Sequence, residues 1–334
     1  MQNKLINPSN FALQDFFRDK KCLVLGASGF IGSNLVHKLV ELGADVSGTY
    51  FSKNRNDVFQ EIEMKQCDAT KREQLTEILI GIDYVFIACA ITSGSAVMRK
   101  TPFVHLSDNM VMNTRILESC DDSKVKRVLF ISSSTVYPNS SEVMTEELST
   151  GNFFPAYEIV ATMKQASENL ALLYAKHSKN KMESVIVRPS NSYGPGDDFD
   201  PVTSKVLPAL IRKFSQAENP IEVWGDGADI KDFVYIDDLV DGIVRAMALG
   251  VNGNIYNIAS GKDSTIRDAV EILTRECNVK SELINYLTDI PSMIPVRRIS
   301  IEKSRKNLGY SPKTNLSVGL RNTLDWFRKE TSST

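Results

Sequence analysis

The stretch Lys21–Gly32, KCLVLGASGFIG, restricts what this chain can fold into more than any other. Cys22, Leu23, Val24 and Leu25 form the short continuous apolar run of a buried parallel strand. Gly26, Gly29 and Gly32 follow at three-residue spacing. The period then changes, and Leu35, Val36, Leu39, Val40 and Leu42 share one helical face. A strand that turns through glycines into a helix presents unpaired N–H groups and the positive end of the helix dipole, which suits a phosphate. Each glycine has a job: Gly26 allows the tight turn, Gly29 lets backbone approach a pyrophosphate, and Gly32 lets helix pack close to strand. A glycine triplet alone fits any strand–helix turn. A second strand at Ala44–Thr49 supplies the context of a dinucleotide-binding loop, with Ser28, Phe30 and Ile31 completing it.

The 334 residues are enough for a full core in one large or two modest domains. Lys and Arg number 39 against 41 Asp and Glu, with no basic block, so nucleic acid is not an expected partner. No apolar run is long enough to span a membrane, and the first residues lack the apolar core of a signal peptide. They read instead as an amphipathic lead-in whose Phe11, Leu13, Phe16 and Phe17 pack on the domain. The five cysteines are scattered without metal spacing, as small core residues of a reducing cytoplasm, and the three histidines form no metal cluster.

The second strand ends in Tyr50-Phe51-Ser52-Lys53-Asn54-Arg55, where an NAD site would place an acid for the ribose 2′-OH. Ser52, Lys53 and Arg55 suit a 2′-phosphate, so NADP(H) is expected, with NAD as the alternative. A solvated loop is the plainer reading. Glu63–Cys67 is a strand, and Asp68 after it either faces the adenine or makes a turn into Lys71–Leu79. Asp83–Ala88 is a buried strand followed by small residues, so Ala88 and Ala90 would let the chain pass over the cofactor. A helix at Asp108–Asp121 carries Asn109 and Asn113 on one face, towards the cleft or merely capping. Val125–Ser132 is the next strand. It runs into Ser133-Ser134-Thr135, a hydroxyl cluster placed where ligands bind in an open parallel sheet, or else a plain hydroxyl turn. Helical periodicity covers Phe154–Tyr174, and Met182–Val187 is a strand leading into a Pro- and Gly-rich loop. Composition shifts there, which divides the chain into a mainly dinucleotide-binding part (1–188) and an interleaved substrate part (189–334).

GASGFIG, SSSTVYP, a helix with Lys164 and Glu168, RPSNSYGPGD and FVYIDDLV occur in the order found in extended short-chain dehydrogenase/reductases. The chain resembles the members that act on nucleotide sugars, over residues 20–328. NSYGPGDDF, SKVLPALIRKF and VWGDGADIKDFVYIDDL are most similar to the GDP-4-keto-6-deoxyhexose reductases, the GDP-L-fucose synthase group. The resemblance implies an α/β fold, a Rossmann-type doubly wound parallel sheet with a smaller α/β substrate-binding domain. It also implies a homodimer and a nucleotide-sugar substrate, GDP-linked. On the cofactor side it implies Lys164 on the nicotinamide ribose and Arg188 nearby. On the substrate side it implies Asn109, Asn191, Lys205, Val206, Trp224, Lys231 and Arg297. Surface charge for the lysines and core packing for Trp224 are the competing readings.

The family's catalytic Tyr stands four residues before its Lys. Here that position is Val160, which cannot transfer a proton. Tyr157, a further turn back, is the remaining phenol, or else a packed aromatic at the helix start. Thr135 and Gly196 replace the Cys and His of the epimerising members, which argues against epimerisation. Ser133-Ser134-Thr135 lacks the carboxylate of the dehydratases. The expected catalytic set is Ser133, Thr135, Tyr157 and Lys164, for hydride transfer at sugar C4. An epimerase with retained NAD(H), or a silent binding protein, is the alternative.

Overall fold

The computed structural model describes residues 10–52, 62–91, 101–290 and 294–332. Lys53 and Arg55 lie outside the described residues, as does the side chain of Phe11. The described chain is built on a seven-stranded parallel sheet. Its order is Ile255–Ile258, Glu183–Pro189, Arg127–Ile131, Tyr84–Ile87, Lys21–Leu25, Asp45–Tyr50, Glu63–Gln66. The strand order therefore reverses at Lys21–Leu25, which pairs with Asp45–Tyr50 on one side and Tyr84–Ile87 on the other. A doubly wound sheet opens its ligand crevice at such a point.

Strand periodicity of two decides which face each residue covers. Cys22 and Val24 face one layer, with Leu35 and Leu39 of helix Phe30–Glu41 and Ile243 of helix Ile236–Leu249. Leu23 and Leu25 face the other, with Leu75 of helix Arg72–Ile78, Ile116 and Leu117 of helix Ser107–Asp122, and Ala171 of helix Glu158–His177. The lead-in is a helix, Asn10–Phe17: Leu13 and Phe17 are buried, and Phe16 stacks on Tyr84 at 5.0 Å.

Beyond Pro189 the chain does not simply leave the sheet. Helix Ile236–Leu249 returns to its face, and Ile255–Ile258 supplies the seventh strand. That strand was not assigned from sequence because buried Asn257 interrupts its apolar run. Helix Glu158–His177 starts later than its periodicity suggests, after a 3-10 turn over Pro155–Tyr157. The remaining part has helix Val206–Ser215, the parallel pair Ile221–Trp224 and Ile284–Leu287, and helix Ile266–Glu276 with a Thr265–Asp268 capping box. Helix Leu316–Ser332 closes it, with Phe327 on Phe199 at 4.6 Å.

Candidate active site

The glycine loop is built as the spacing requires. Gly26 has φ +83°, and a Cβ there would lie 2.7 Å from Cys89 Cα. A Cβ on Gly32 would fall 2.1 Å from the Gly26 carbonyl oxygen, so helix and loop meet this closely only because residue 32 is glycine. Gly29 caps helix Phe30–Glu41 without a side-chain cap, and no acid occupies its first turn. The N–H groups of Phe30 and Ile31, which open the helix and have no partner within it, are left for an anion. Ser28 is half-buried beside them. This bare cradle fits the pyrophosphate of a dinucleotide. Two residues not singled out in the sequence support it: Thr49 Oγ1 accepts from Gly26 N at 3.0 Å, and a Cβ on Gly48 would lie 2.5 Å from that of Ala27.

Around the cradle the assigned cofactor residues divide. Ala88 donates its N–H to Leu25 O at 3.0 Å, and Ala90 lies exposed beyond it. Ser52 is exposed at the end of its strand. Asp68 Oδ1 accepts from Thr70 N at 3.0 Å and Thr70 Oγ1 at 2.7 Å, bonds that hold its carboxyl below the usual range. Its turn-forming role is thus realised. Arg188 is corrected outright as a cofactor ligand. It is 2% exposed, and its guanidinium makes a bidentate pair with Glu168 at 2.9 and 2.7 Å. The remaining arm donates to Tyr137 OH at 3.1 Å and Glu146 O at 2.8 Å.

That pair belongs to a buried polar framework under the hydroxyl turn. Ser132 Oγ donates to Glu168 Oε1, and Tyr137 OH donates to Asn257 Oδ1. The Asn257 N–H in turn donates to Glu146 Oε1 at 2.8 Å. The Lys164–x3–Glu168 spacing announces one member; the other partners come from distant strands.

Above the framework stand the expected catalytic groups. Ser133 caps the 3-10 turn Ser134–Val136, its Oγ accepting from Thr135 N at 3.2 Å. Thr135 Oγ1 is buried without a hydrogen-bond partner among the described residues. Helix Glu158–His177 packs on this turn and brings Lys164 to it. Lys164 is buried, with Nζ donating to Ile131 O at 2.9 Å and lying 5.0 Å from the Phe130 ring centre. Burial lowers its pKa to about 8, opposed by Cys89 and the Glu168 carboxylate. Val160 lies half-buried one turn earlier. Tyr157 is at the helix N-cap, about 10.5 Å along the axis from Lys164, and within electrostatic range of Arg297.

On the substrate side, Arg297 is 2% exposed and donates to Pro138 O at 3.0 Å and Tyr137 O at 3.2 Å. Its Nε is buried without a partner, and burial lowers its pKa to about 10. Lys205 is exposed and lies 5.9 Å from the Phe30 ring, beside the cradle, with Val206 exposed next to it. Asn34, overlooked in the sequence, ties the same helix to Pro195 O at 3.3 Å. Asn191 donates Nδ2 to Asp232 O at 2.9 Å, and Trp224 is 48% exposed.

Two expected ligands are occupied by the fold. Asn109 is fully buried: its Oδ1 accepts from Ile91 N at 2.9 Å, and its Nδ2 donates to His105 O at 2.7 Å and Ile91 O at 3.1 Å. It fastens the chain after strand Tyr84–Ile87 rather than presenting its amide to a ligand. Lys231 bonds Asp229 Oδ2 at 3.1 Å and also Ile294 O. Asn113 donates to Ser167 Oγ between two helices. No metal-binding group of His, Cys, Asp or Glu exists among the described residues, and no helix among them is long and apolar enough to cross a membrane.

Known proteins resemble the chain in sequence and fold. A putative GDP-L-fucose synthase of Arabidopsis thaliana is 28% identical over 93% of this chain and 92% of its own. A UDP-N-acetyl-alpha-D-glucosaminuronate decarboxylase of Bacillus cytotoxicus is 28% identical over 93% of this chain and 98% of its own. The structure of UDP-glucuronic acid 4-epimerase from Bacillus cereus, in complex with UDP-glucuronic acid and NAD, superposes with a TM-score of 0.82 at 27% identity, covering 93% and 99% of the two chains. The NAD dependent epimerase/dehydratase family matches residues 22–259, and the chain belongs to that family of nucleotide-sugar enzymes.

Proposed function

We propose that this chain transfers a hydride between NADP(H) and C4 of a nucleotide-linked 4-keto-6-deoxyhexose, with GDP as the nucleotide. The observation that carries the reading is the Thr135 hydroxyl, buried and unpartnered among the described residues, in the turn on which the Lys164 helix packs at the carboxyl ends of the strands. A buried hydroxyl without a partner is costly unless a ligand satisfies it. Thr135 and Ser133 would hold the C4 oxygen, and Lys164 the nicotinamide ribose. Reduced nicotinamide supplies the hydride when bound. Arg297, a buried cation, would meet the sugar-nucleotide phosphates, with Lys205 at the rim.

The same residues disfavour epimerisation by proton abstraction, since Thr135 and Gly196 are no acid–base pair. The GDP-L-fucose synthase relative supports the reductive reading and the GDP link. The epimerase complex holding NAD supports a second reading, in which C4 is oxidised and reduced on a retained NAD(H).

The experiment follows absorbance of the reduced nicotinamide with purified protein and a panel of nucleotide-linked 4-keto-6-deoxyhexoses. Consumption of NADPH with one of them establishes the reductase and its substrate. Saturable cofactor binding with no consumption, together with tightly retained NAD in the purified protein, favours the epimerase.

A further inference from the structure

Proton transfer poses a problem that the hydride reading does not resolve. The helix position four residues before Lys164, where the resemblance implies a phenol, holds Val160, an alkyl side chain. Tyr157 lies about two helical turns from Lys164 and sits near Arg297 instead. We propose that Lys164 is itself the acid of the step, its ammonium passing a proton to the C4 oxygen through one water held between it and the Ser133–Thr135 turn.

This rests on the reductase reading and assigns it a proton donor. One hydrogen bond, to Ile131 O at 2.9 Å, fixes Nζ beside the Ser133–Thr135 turn. An ammonium has three donors, so this anchor leaves two for the ribose and for water. Val160 is half-buried and offers no polar atom, so such a water would take its hydrogen bonds from Lys164 and the turn's hydroxyls. Thr135 Oγ1 has no partner among the described residues and can hydrogen-bond the same C4 oxygen.

The surroundings keep Lys164 able to titrate. Glu168, one turn later, helps to hold the ammonium charged while its carboxylate also binds Arg188 and Ser132. The Cys89 thiol acts in the same direction, although burial pushes its own pKa up to about 12. From the turn Pro102–His105 packed on the same helix, His105 is held below its usual range by burial. Burial of Nζ then dominates and sets a pKa of about 8, in the range where a lysine works as an acid near neutrality. The step balances. C4 gains the hydride, and the C=O π pair moves to oxygen. The oxygen takes a proton from water, and water takes one from Lys164. The resulting amine is reprotonated from solvent.

The test has two readouts. Competitive acetylation of the ligand-free protein, followed across pH by peptide mass spectrometry, measures when Lys164 becomes an amine. The expected midpoint lies near 8. The rate of keto-sugar reduction at saturating NADPH should break at the same pH and fall about tenfold per unit above it. Tyr157→Phe should leave the position of that break in place. A labelling midpoint above 10, or loss of the break in Tyr157→Phe, overturns the proposal while the reductase reading stands. If no keto sugar is reduced at any pH, the reductase reading fails, and this proposal fails with it.

Discussion

Arg188 and Arg297 make an instructive pair. Both are 2% exposed, and both reach Tyr137, Arg188 at its hydroxyl and Arg297 at its carbonyl. Arg188 is neutralised by the bidentate Glu168 carboxylate. Arg297 has two neutral carbonyls, an unpartnered Nε and no carboxylate among the described residues. A buried charge with a counter-charge is framework; a buried charge without one is poised for an anion. The family resemblance assigned both to ligands. Only the geometry separates them, because a sequence shows that an arginine follows a strand but not which carboxylate meets it.

The largest expected effect breaks the framework arm. Arg188→Met strands the Glu168 carboxylate, so urea unfolding should lose about 3–5 kcal/mol of stability. Arg297→Met leaves no stranded charge, so the ligand-free protein should keep its stability within about 1 kcal/mol. Equal losses in the two variants would dissolve the distinction. Next comes binding. Calorimetric titration with GDP or a GDP-sugar should show Arg297→Met weakened by about 2–4 kcal/mol, while NADPH binding is retained. A loss of NADPH affinity would place Arg297 on the wrong ligand.

Gly32→Ala sharpens the contrast from the cofactor side. The new methyl meets the Gly26 carbonyl oxygen at 2.1 Å, and both are backbone-bound. Thermal unfolding should show about 1–3 kcal/mol of destabilisation, with NADPH binding weakened and the nucleotide-sugar pocket little changed.

The fold was largely legible because its signals are local. The apolar run Cys22–Leu25, the glycine spacing and the helical face of Leu35 and Leu39 all lie within one short stretch. The seventh strand was hidden because Asn257 spends its polar groups on partners far along the chain, at Tyr137, Glu146 and Ser300. The site divides the same way. Thr135 and Lys164 can be found from motifs, but Asn109 and Lys231 look like ligands until their backbone partners are known. Asn34 and Gly48 carried no signal, since each matters only through a contact made by folding.

The smallest expected effect separates Lys164 from Arg297 by pH. Lys164 falls from 10.5 in the unfolded chain to about 8 in the folded one. Between those values the unfolded chain holds the extra proton, so this group makes stability rise with pH. Below about 8 both states are protonated and the burial penalty is fully present. Arg297 has the same sign, but its window opens only near its folded value of about 10. Buried phenols and thiols oppose both: Tyr137 is pushed up to about 12, so the unfolded chain loses that proton first and stability falls there. Stability of the native sequence alone would therefore mix the terms. The difference between it and Lys164→Met cancels them. That difference should change by about 1–2 kcal/mol between pH 8 and 10, in the direction that favours the native sequence as pH rises. The same subtraction with Arg297→Met should stay flat over this window. A flat curve for Lys164→Met would mean that its ammonium is not destabilised by burial, and the two cations would then differ in their partners alone.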